Sequence, residues 1–370
     1  MSILYVGHYR ESSGWGQVAR DYILALDSVG VDVVPRSIDL GLANFDIPNR
    51  IKELEQRDPT KCDIIIQHVL PHYMKYDSHF KKNIGLFELE TQNIGHTQWV
   101  NHLNLMDELW VPCSDMEMIE GVNTPIKVVP HTFEMQQYTM VRPVMDIPQL
   151  KNKFVFYFIG EFSVRKHIAS MLRAFHAEFS IEEPVEIVLK VNKNGLNTQE
   201  LVNELSQFCN KIKENLRIYP SLDIYKPEVI ITNTLSREDI LRLHKTCNCF
   251  VCSSHGEAWC IPAFEAMALG NIVISSNTGG PKDYIDANRN GMLVKGSMEP
   301  VFGQHEAMPG FGTSREKWFN ISVSDLMKTM RRAYEMSPEK KNRMKTEAQM
   351  SACKYSYEQI GKQMKELLNV

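Results

Sequence analysis

The stretch Cys252-Ser-Ser-His-Gly-Glu-Ala-Trp-Cys-Ile-Pro-Ala-Phe-Glu-Ala-Met-Ala-Leu-Gly-Asn-Ile-Val-Ile-Ser-Ser-Asn-Thr-Gly-Gly-Pro-Lys-Asp283 alternates secondary-structure signals in a telling order. A strand ends near Cys252 and a polar loop carries Glu257. Pro262 opens a helix that holds Glu265 in its first turn and that Gly270 ends. A second apolar strand, Ile272 to Ser275, follows before Gly279-Gly280 turns the chain again. This is the pattern of a βαβ unit in a parallel sheet. Both acids then fall at the C-terminal edge of that sheet, where open α/β folds bind ligands. Free amides at a helix start take a phosphate and a carboxylate beside them takes hydroxyls, so the pair suits a polyol phosphate. Read locally, the same acids also fit plainer roles, Glu265 complementing the helix dipole and Glu257 solvated in its loop.

Outward from this stretch the same alternation fills the chain. Strand signals precede it at Ile3 to Gly7, Val31 to Pro35, Asp63 to Gln67, Asn83 to Phe87, Glu108 to Val111 and Ile126 to Val129. Val18, Tyr22, Ala25 and Val29 mark one face of a helix that Gly30 can terminate. The pattern breaks between Met140 and Lys153, where two prolines and no sustained period indicate a junction. A second series starts with the strand Phe154 to Ile159 and a helix faced by Ile168, Leu172, Phe175 and Phe179. Strand signals continue at Glu186 to Val191, Arg217 to Tyr219, Val229 to Thr232, Cys249 to Cys252 and Met292 to Val294. Gly296 to Thr313 reads as a long loop, and helices from Ser337 and from Tyr357 to Leu368 close the chain. The expected organisation is an N-terminal domain over 1–145, a C-terminal domain over 146–352, and a last helix over 353–370 that packs back on the first domain.

Length and composition bound the function. A chain of 370 residues with 43% hydrophobic and 23% charged residues suits two globular domains. Lys and Arg number 41 against 45 Asp and Glu, a net charge of -4 that gives no general attraction to nucleic acid. The start of the chain reads as a β-strand interrupted by Gly7, His8 and Arg10, not as a signal peptide. No apolar run suggests a transmembrane segment, so any membrane contact would be peripheral. Eight scattered cysteines fit reduced thiols and a cytoplasmic setting. Cys247, Cys249 and Cys252, with His244 and His255 nearby, have the wrong spacing for zinc knuckles and the period of a buried strand.

The 252–283 stretch resembles the signature of retaining glycosyltransferases of family 4. The resemblance implies the α/β GT-B fold, two Rossmann-like domains with parallel sheets facing a central cleft and the donor bound mainly by the second. Glu257, Glu265, Ala266-Met267-Ala268-Leu269-Gly270, Gly279-Gly280 and Asp283 fill the positions of the family pattern, the last in place of a usual Glu. Glu257 would then contact donor sugar hydroxyls near the reacting carbon, and Glu265 the nucleotide ribose. Backbone amides of Trp259, Cys260 and Ile261 would face sugar or phosphate.

A second resemblance lies in Gly160-Glu161-Phe162-Ser163-Val164-Arg165-Lys166. Lys166 fits a diphosphate-contacting lysine, while Glu161 stands where the family has arginine; either Arg165 supplies that charge or the diphosphate is neutralised less than is usual in the family. The Gly14- and Gly16-containing loop after the first strand resembles the loop that approaches the donor phosphates. Glu88 and Glu90 are the candidates for the acceptor side, with His68 and His72 as substitutes, and each is also readable as a solvated loop group. His131 reads as structural. The implied activity is metal-independent transfer of a hexose or deoxyhexose from a UDP- or GDP-sugar to a glycan or other hydroxyl, with retention. No metal or other cofactor is expected, since no Asp-x-Asp motif is placed to hold one. The competing readings are a nucleotide-sugar epimerase or hydrolase on the same fold, and a non-catalytic nucleotide-sugar-binding partner of another transferase.

Overall fold

The computed structural model describes residues 2–39, 45–304 and 311–369. It divides into two compact units, one of residues 1–137, 309–317 and 353–370, the other of 138–308 and 318–352.

Unit 1 begins with β1 (Ser2–Gly7), α1 (Gly14–Ser28), β2 (Asp32–Ser37), α2 (Asn49–Leu54), β3 (Cys62–His68) and β4 (Lys82–Leu86). It continues through α3 (Trp99–Leu103), β5 (Glu108–Val111) and β6 (Ile126–Val128); the turn-like α4 (Gln136–Thr139) begins in unit 1 and ends in unit 2, to which Tyr138 belongs. The strands form one parallel sheet in the order β2-β1-β3-β4-β5-β6. Ile3 and Tyr5 of β1 are buried on one face, while Leu4 and Val6 pack with Val34, Cys62, Ile65 and Phe80 on the other. Burial on both faces is why these strands read as nearly continuous apolar runs. Helix α1 starts where the Ser13 hydroxyl accepts from the Gly16 amide, 3.1 Å, and buries Val18, Tyr22 and Ala25.

Unit 2 repeats the scheme with β7 (Phe154–Glu161), α5 (Ile168–Glu178), β8 (Val185–Asn192), α6 (Thr198–Leu216), β9 (Val229–Ile231), α7 (Arg237–Thr246) and β10 (Cys249–Cys252). There follow α8 (Ile261–Ala268), β11 (Ile272–Ser276), α9 (Gly280–Tyr284), β12 (Met292–Val294), β13 (Gly296–Pro300), β14 (Lys317–Ile321), α10 (Val323–Glu335) and α11 (Pro338–Ala352). The second parallel sheet has the order β12-β11-β10-β7-β8-β9. Cys247, Cys249 and Cys252 are buried among its apolar side chains. The last helix, α12 (Tyr357–Leu368), belongs to unit 1 and packs on α1, where Gly361 lets the two backbones meet: a Cβ there would lie 2.4 Å from the Ala25 carbonyl oxygen.

Three local expectations need correction. Residues 217–219 form no strand: Arg217 adopts φ 53° as the C-cap of α6, so the apolar Ile218 and Tyr219 follow a helix end. The stretch expected as loop from Gly296 contains β13, which pairs with β14 as a small separate ladder; 305–310 lie outside the described residues. Glu265 stands beyond the first turn of α8 and is 2% exposed, so it is a core carboxylate and not a dipole-complementing surface acid.

Candidate functional site

In each sheet the strand order reverses once, between β1 and β3 and between β7 and β10. Diverging connections leave a crevice beyond the strand ends at such a point, which is where open α/β sheets bind ligands. The segments that leave β7 and β10 carry the main candidates of unit 2.

Glu257 is buried, yet both its oxygens face cations. The Lys166 ammonium lies 2.6 Å from Oε1, and Arg165 lies 3.5 Å from Oε2 while donating at 2.8 Å to the Gly256 carbonyl. The Ser254 hydroxyl adds a 2.6 Å hydrogen bond to Oε1. Burial alone would raise the Glu257 carboxyl; Lys166 and Arg165 outweigh it and hold the group below the usual carboxylate range. Two cations on one anion leave a local excess of positive charge at the strand ends.

Glu265 forms a second buried cluster. Arg237 at the start of α7 pairs with its Oε1, Tyr138 donates to the same oxygen at 3.4 Å, and His244 Nε2 lies 3.4 Å from Oε2. Asn271 and His244 in turn hold the Tyr157 hydroxyl, at 2.7 and 2.6 Å. Burial again pushes the carboxyl up, and Arg237 and His244 reverse the shift, bringing Glu265 to about 2. Arg237, His244 and Tyr138 escape sequence reading as site residues because each is an ordinary residue type brought in from a segment without a pattern, and Ser254, although inside the decisive stretch, because a loop serine carries no signal of its own.

Backbone geometry holds the Glu257 loop in place. Gly279 has φ 62°, and a Cβ on it would fall 1.8 Å from the Glu257 carbonyl oxygen. Gly280 donates its amide to that oxygen at 3.1 Å, and a Cβ on it would meet the Trp259 Cα at 2.4 Å. The Gly-Gly pair is thus demanded by close packing of backbone on backbone. Trp259 is buried against Phe264 and Tyr284, Cys260 is the left-handed residue before α8, and Ile261 is the first residue of that helix. Gly160 and Glu161 end β7 half-buried, and Asp283 is exposed on α9. Among the described residues Glu161 has no ion-pair partner. Beside the loop, His167, His255 and Trp318 stack face to face, with ring centroids 3.9 and 4.8 Å apart.

Unit 1 gathers a different set at its own reversal point. His68 ends β3 and Glu88 follows β4; His68 Nε2 lies 2.8 Å and His131 Nε2 3.3 Å from Glu88 Oε1. Tyr5 hydrogen-bonds the other His68 nitrogen at 2.7 Å, and Trp15 stacks over its ring. Burial raises the Glu88 carboxyl and the two histidines more than cancel it, keeping the group ionised. Glu88 Oε2 and His8 Nε2, just beyond β1, are buried with no hydrogen-bond partner, while His8 Nδ1 lies 3.8 Å from Glu11 Oε1. Such orphaned polar atoms at a strand-end crevice point to a ligand that satisfies them. His131, read as structural, and His8 thus join Glu88 and His68; Glu90 is only half-buried, and His72 stacks instead on Trp99. Gly14 opens α1 in an exposed position, while Gly16 is buried where a Cβ would strike the Glu11 carbonyl oxygen, 2.1 Å away.

Solved structures share the architecture along its whole length. Sucrose-phosphate synthase from Thermosynechococcus elongatus aligns with TM-score 0.66 at 14% identity, over 100% of this chain and 98% of that one. The fold is GT-B. The GT-B chain from E. coli solved as trehalose-6-phosphate bound with UDP-2-fluoro glucose aligns with TM-score 0.67 at 11% identity, over 100% and 99%. Anabaena HepE in complex with UDP-glucose aligns with TM-score 0.64 at 15% identity, over 100% and 99%. Within this GT-B chain, residues 224–300 match the family Glycosyl transferases group 1, a span that contains Arg237, His244, Glu257 and Glu265. ORF330 of Acidianus filamentous virus 2 (isolate Italy/Pozzuoli), provisionally named a glycosyltransferase, is 23% identical over 248 residues, 66% of this chain and 63% of its own length. No helix of the described GT-B residues is long and apolar enough to cross a membrane.

Proposed function

We propose that this protein is a retaining, metal-independent glycosyltransferase that moves a hexose or deoxyhexose from a UDP- or GDP-sugar to a glycan or other hydroxyl acceptor. The observation that carries the reading is the buried Glu257 carboxylate held by Lys166 and Arg165 at the reversal point of the second sheet. The family match over 224–300 supports it.

Glycosyl transfer breaks the bond between the anomeric carbon and the diphosphate oxygen, leaving negative charge on the diphosphate and positive character on the sugar. Lys166, Arg165 and the amides at the start of α8 take the first of these charges. As phosphate oxygens engage Lys166 and Arg165, the Glu257 oxygens become available to sugar hydroxyls and to the positive charge developing at the ring. Glu265, fixed by Arg237 and Tyr138, presents its carboxylate for the ribose. The acceptor oxygen attacks from the face that the diphosphate leaves, and its proton passes to the departing phosphate. The Glu88 cluster of unit 1 accepts hydrogen bonds from acceptor hydroxyls, for which Glu88 Oε2 is spare. The positive side chains do the work of charge neutralisation, so the activity is expected to persist in EDTA. The eight scattered cysteines and the net charge of -4 support a cytoplasmic setting without a nucleic-acid partner as part of this reading.

Nucleoside diphosphate release, measured with and without a panel of sugar and glycan acceptors, tests the reading. Release that depends on an acceptor, with the product linkage keeping the donor configuration, is the expected result. Glu161, standing where arginine is usual in the family pattern, favours a second reading in which the chain binds a nucleotide sugar without turning it over. Binding with no release under any acceptor would establish that reading instead. Release without acceptor would indicate a hydrolase, and conversion of the donor to a different nucleotide sugar without net release would indicate an epimerase.

A further inference from the structure

The loop that presents Glu257 is bracketed by two cysteines. Cys252 ends β10 and Cys260 precedes α8, and their sulfurs lie 3.7 Å apart, both buried. Cys260 holds φ 65° and ψ 72°, a left-handed conformation that a residue with a Cβ adopts at a cost. A hydrogen-bond chain runs from this pair into the candidate site. Cys260 donates to the Cys252 sulfur, Cys252 donates at 3.5 Å to the Ser254 hydroxyl, and Ser254 donates at 2.6 Å to Glu257 Oε1. The hydrogen bond from Cys260 lowers the Cys252 thiol below its ordinary range against the effect of burial.

We propose that Cys252 and Cys260 form a peroxide-sensitive dithiol whose closure to a disulfide switches off the Glu257 site, an inference that rests on the glycosyltransferase reading for its effect on turnover. In the first step the Cys252 thiolate attacks one oxygen of hydrogen peroxide. A sulfenic acid forms, the O–O bond breaks, and the leaving hydroxide takes a proton to become water. In the second the Cys260 sulfur attacks the Cys252 sulfur, displacing hydroxide that takes the Cys260 proton. Two thiols are oxidised, one peroxide is reduced, and two waters leave. A disulfide needs the sulfurs at about 2.05 Å. Closure therefore draws the end of β10 towards the start of α8. The loop between them carries Glu257, and displacements of about 1 Å at a reacting centre cost on the order of 100-fold in rate.

The test treats the full chain with hydrogen peroxide, blocks free thiols with N-ethylmaleimide, and cleaves after Glu257. That cut separates Cys252 from Cys260 unless a disulfide joins them, so mass spectrometry reads the link directly. The expected result is a linked pair, a loss of turnover of at least tenfold that dithiothreitol reverses, and a Cys252→Ala variant that keeps its turnover under peroxide. Absence of the link at a peroxide dose that oxidises the exposed Cys353 overturns the proposal. A link that leaves turnover intact overturns the switch. Should the reduced protein transfer no sugar at all, the glycosyltransferase reading fails, and the mass measurement still decides whether the dithiol closes.

Discussion

Lys166 and Arg165 share the Glu257 carboxylate in a site mostly shielded from water, so removal of Glu257 leaves two uncompensated cations, whereas removal of Lys166 leaves Glu257 with Arg165 alone. Lys166→Met is expected to lower kcat/KM by about 100- to 1,000-fold, the range for losing one group that stabilises developing charge; steady-state kinetics with the preferred donor checks it. Arg237→Met acts on Glu265. The Glu265 carboxyl titrates at about 2 in the folded chain, below its ordinary 4.5. Its ionisation therefore stabilises the fold above pH 4.5, by about 3 kcal/mol, and that stability is lost as pH falls towards 2. Without Arg237 the folded value rises, so acid unfolding monitored by circular dichroism should begin at a higher pH than in the parent. His167 has the opposite chemistry and the same sign. Burial, with His255 and Arg173 nearby, lowers it to about 3, so the unfolded chain takes up the proton first. Its contribution is full above about pH 6.5 and falls as pH drops towards 3. His167→Asn, whose side chain tolerates the left-handed backbone at that position, should flatten the slope of unfolding free energy against pH between those values.

At the scale of elements, the turn between β11 and α9 supports the loop before α8 through backbone contact. Gly279→Ala is expected to cost more than 3 kcal/mol in urea unfolding, because the new Cβ would occupy the Glu257 carbonyl. Gly30→Ala is the comparison: φ is also positive, at 78°, but nothing lies within 4 Å, so only the backbone term of about 1 kcal/mol remains. Similar loss in both variants would show that the contact at Gly279 does not matter. The central strands of both sheets were legible because burial on two faces makes them apolar runs, and Phe154–Ile159 is the clearest. The β13–β14 ladder was not, since Gly296–Pro300 is mostly exposed and has no apolar alternation to announce it. Ile218 and Tyr219 misled for the converse reason, apolar residues that follow a helix cap.

For the whole molecule, the site was legible where a residue stands in a segment that carries a recognisable pattern, as Glu257 and Lys166 do in two separate stretches, and illegible where folding brings in a residue from a segment without one. Glu257, Glu265 and the Gly-Gly pair lie within one stretch, whereas Arg237, His244 and Tyr138 reach Glu265 from other elements. His8 was hidden in a glycine-containing loop, and only the sheet order brings the ends of β1 and β3 together. The C-terminal helix is another long-range feature: α12 buries Ile360, Met364 and Leu368 and its Gln363 donates to the Val128 carbonyl at 2.8 Å. Gly361→Leu should separate α12 from α1 and destabilise unit 1 by at least 2 kcal/mol, read as faster hydrogen exchange in α1 with little change in α5.

If Lys166 and Glu265 belong to a nucleotide-sugar site, both contribute to binding a nucleoside diphosphate. Isothermal titration of the full chain with UDP and with GDP, in EDTA, on the parent and on Lys166→Met and Glu265→Gln, tests it most directly. One of the two nucleotides is expected to bind the parent, and each substitution to weaken that binding by at least tenfold. Absence of binding by both nucleotides at millimolar concentration, or binding that both variants retain, would contradict it.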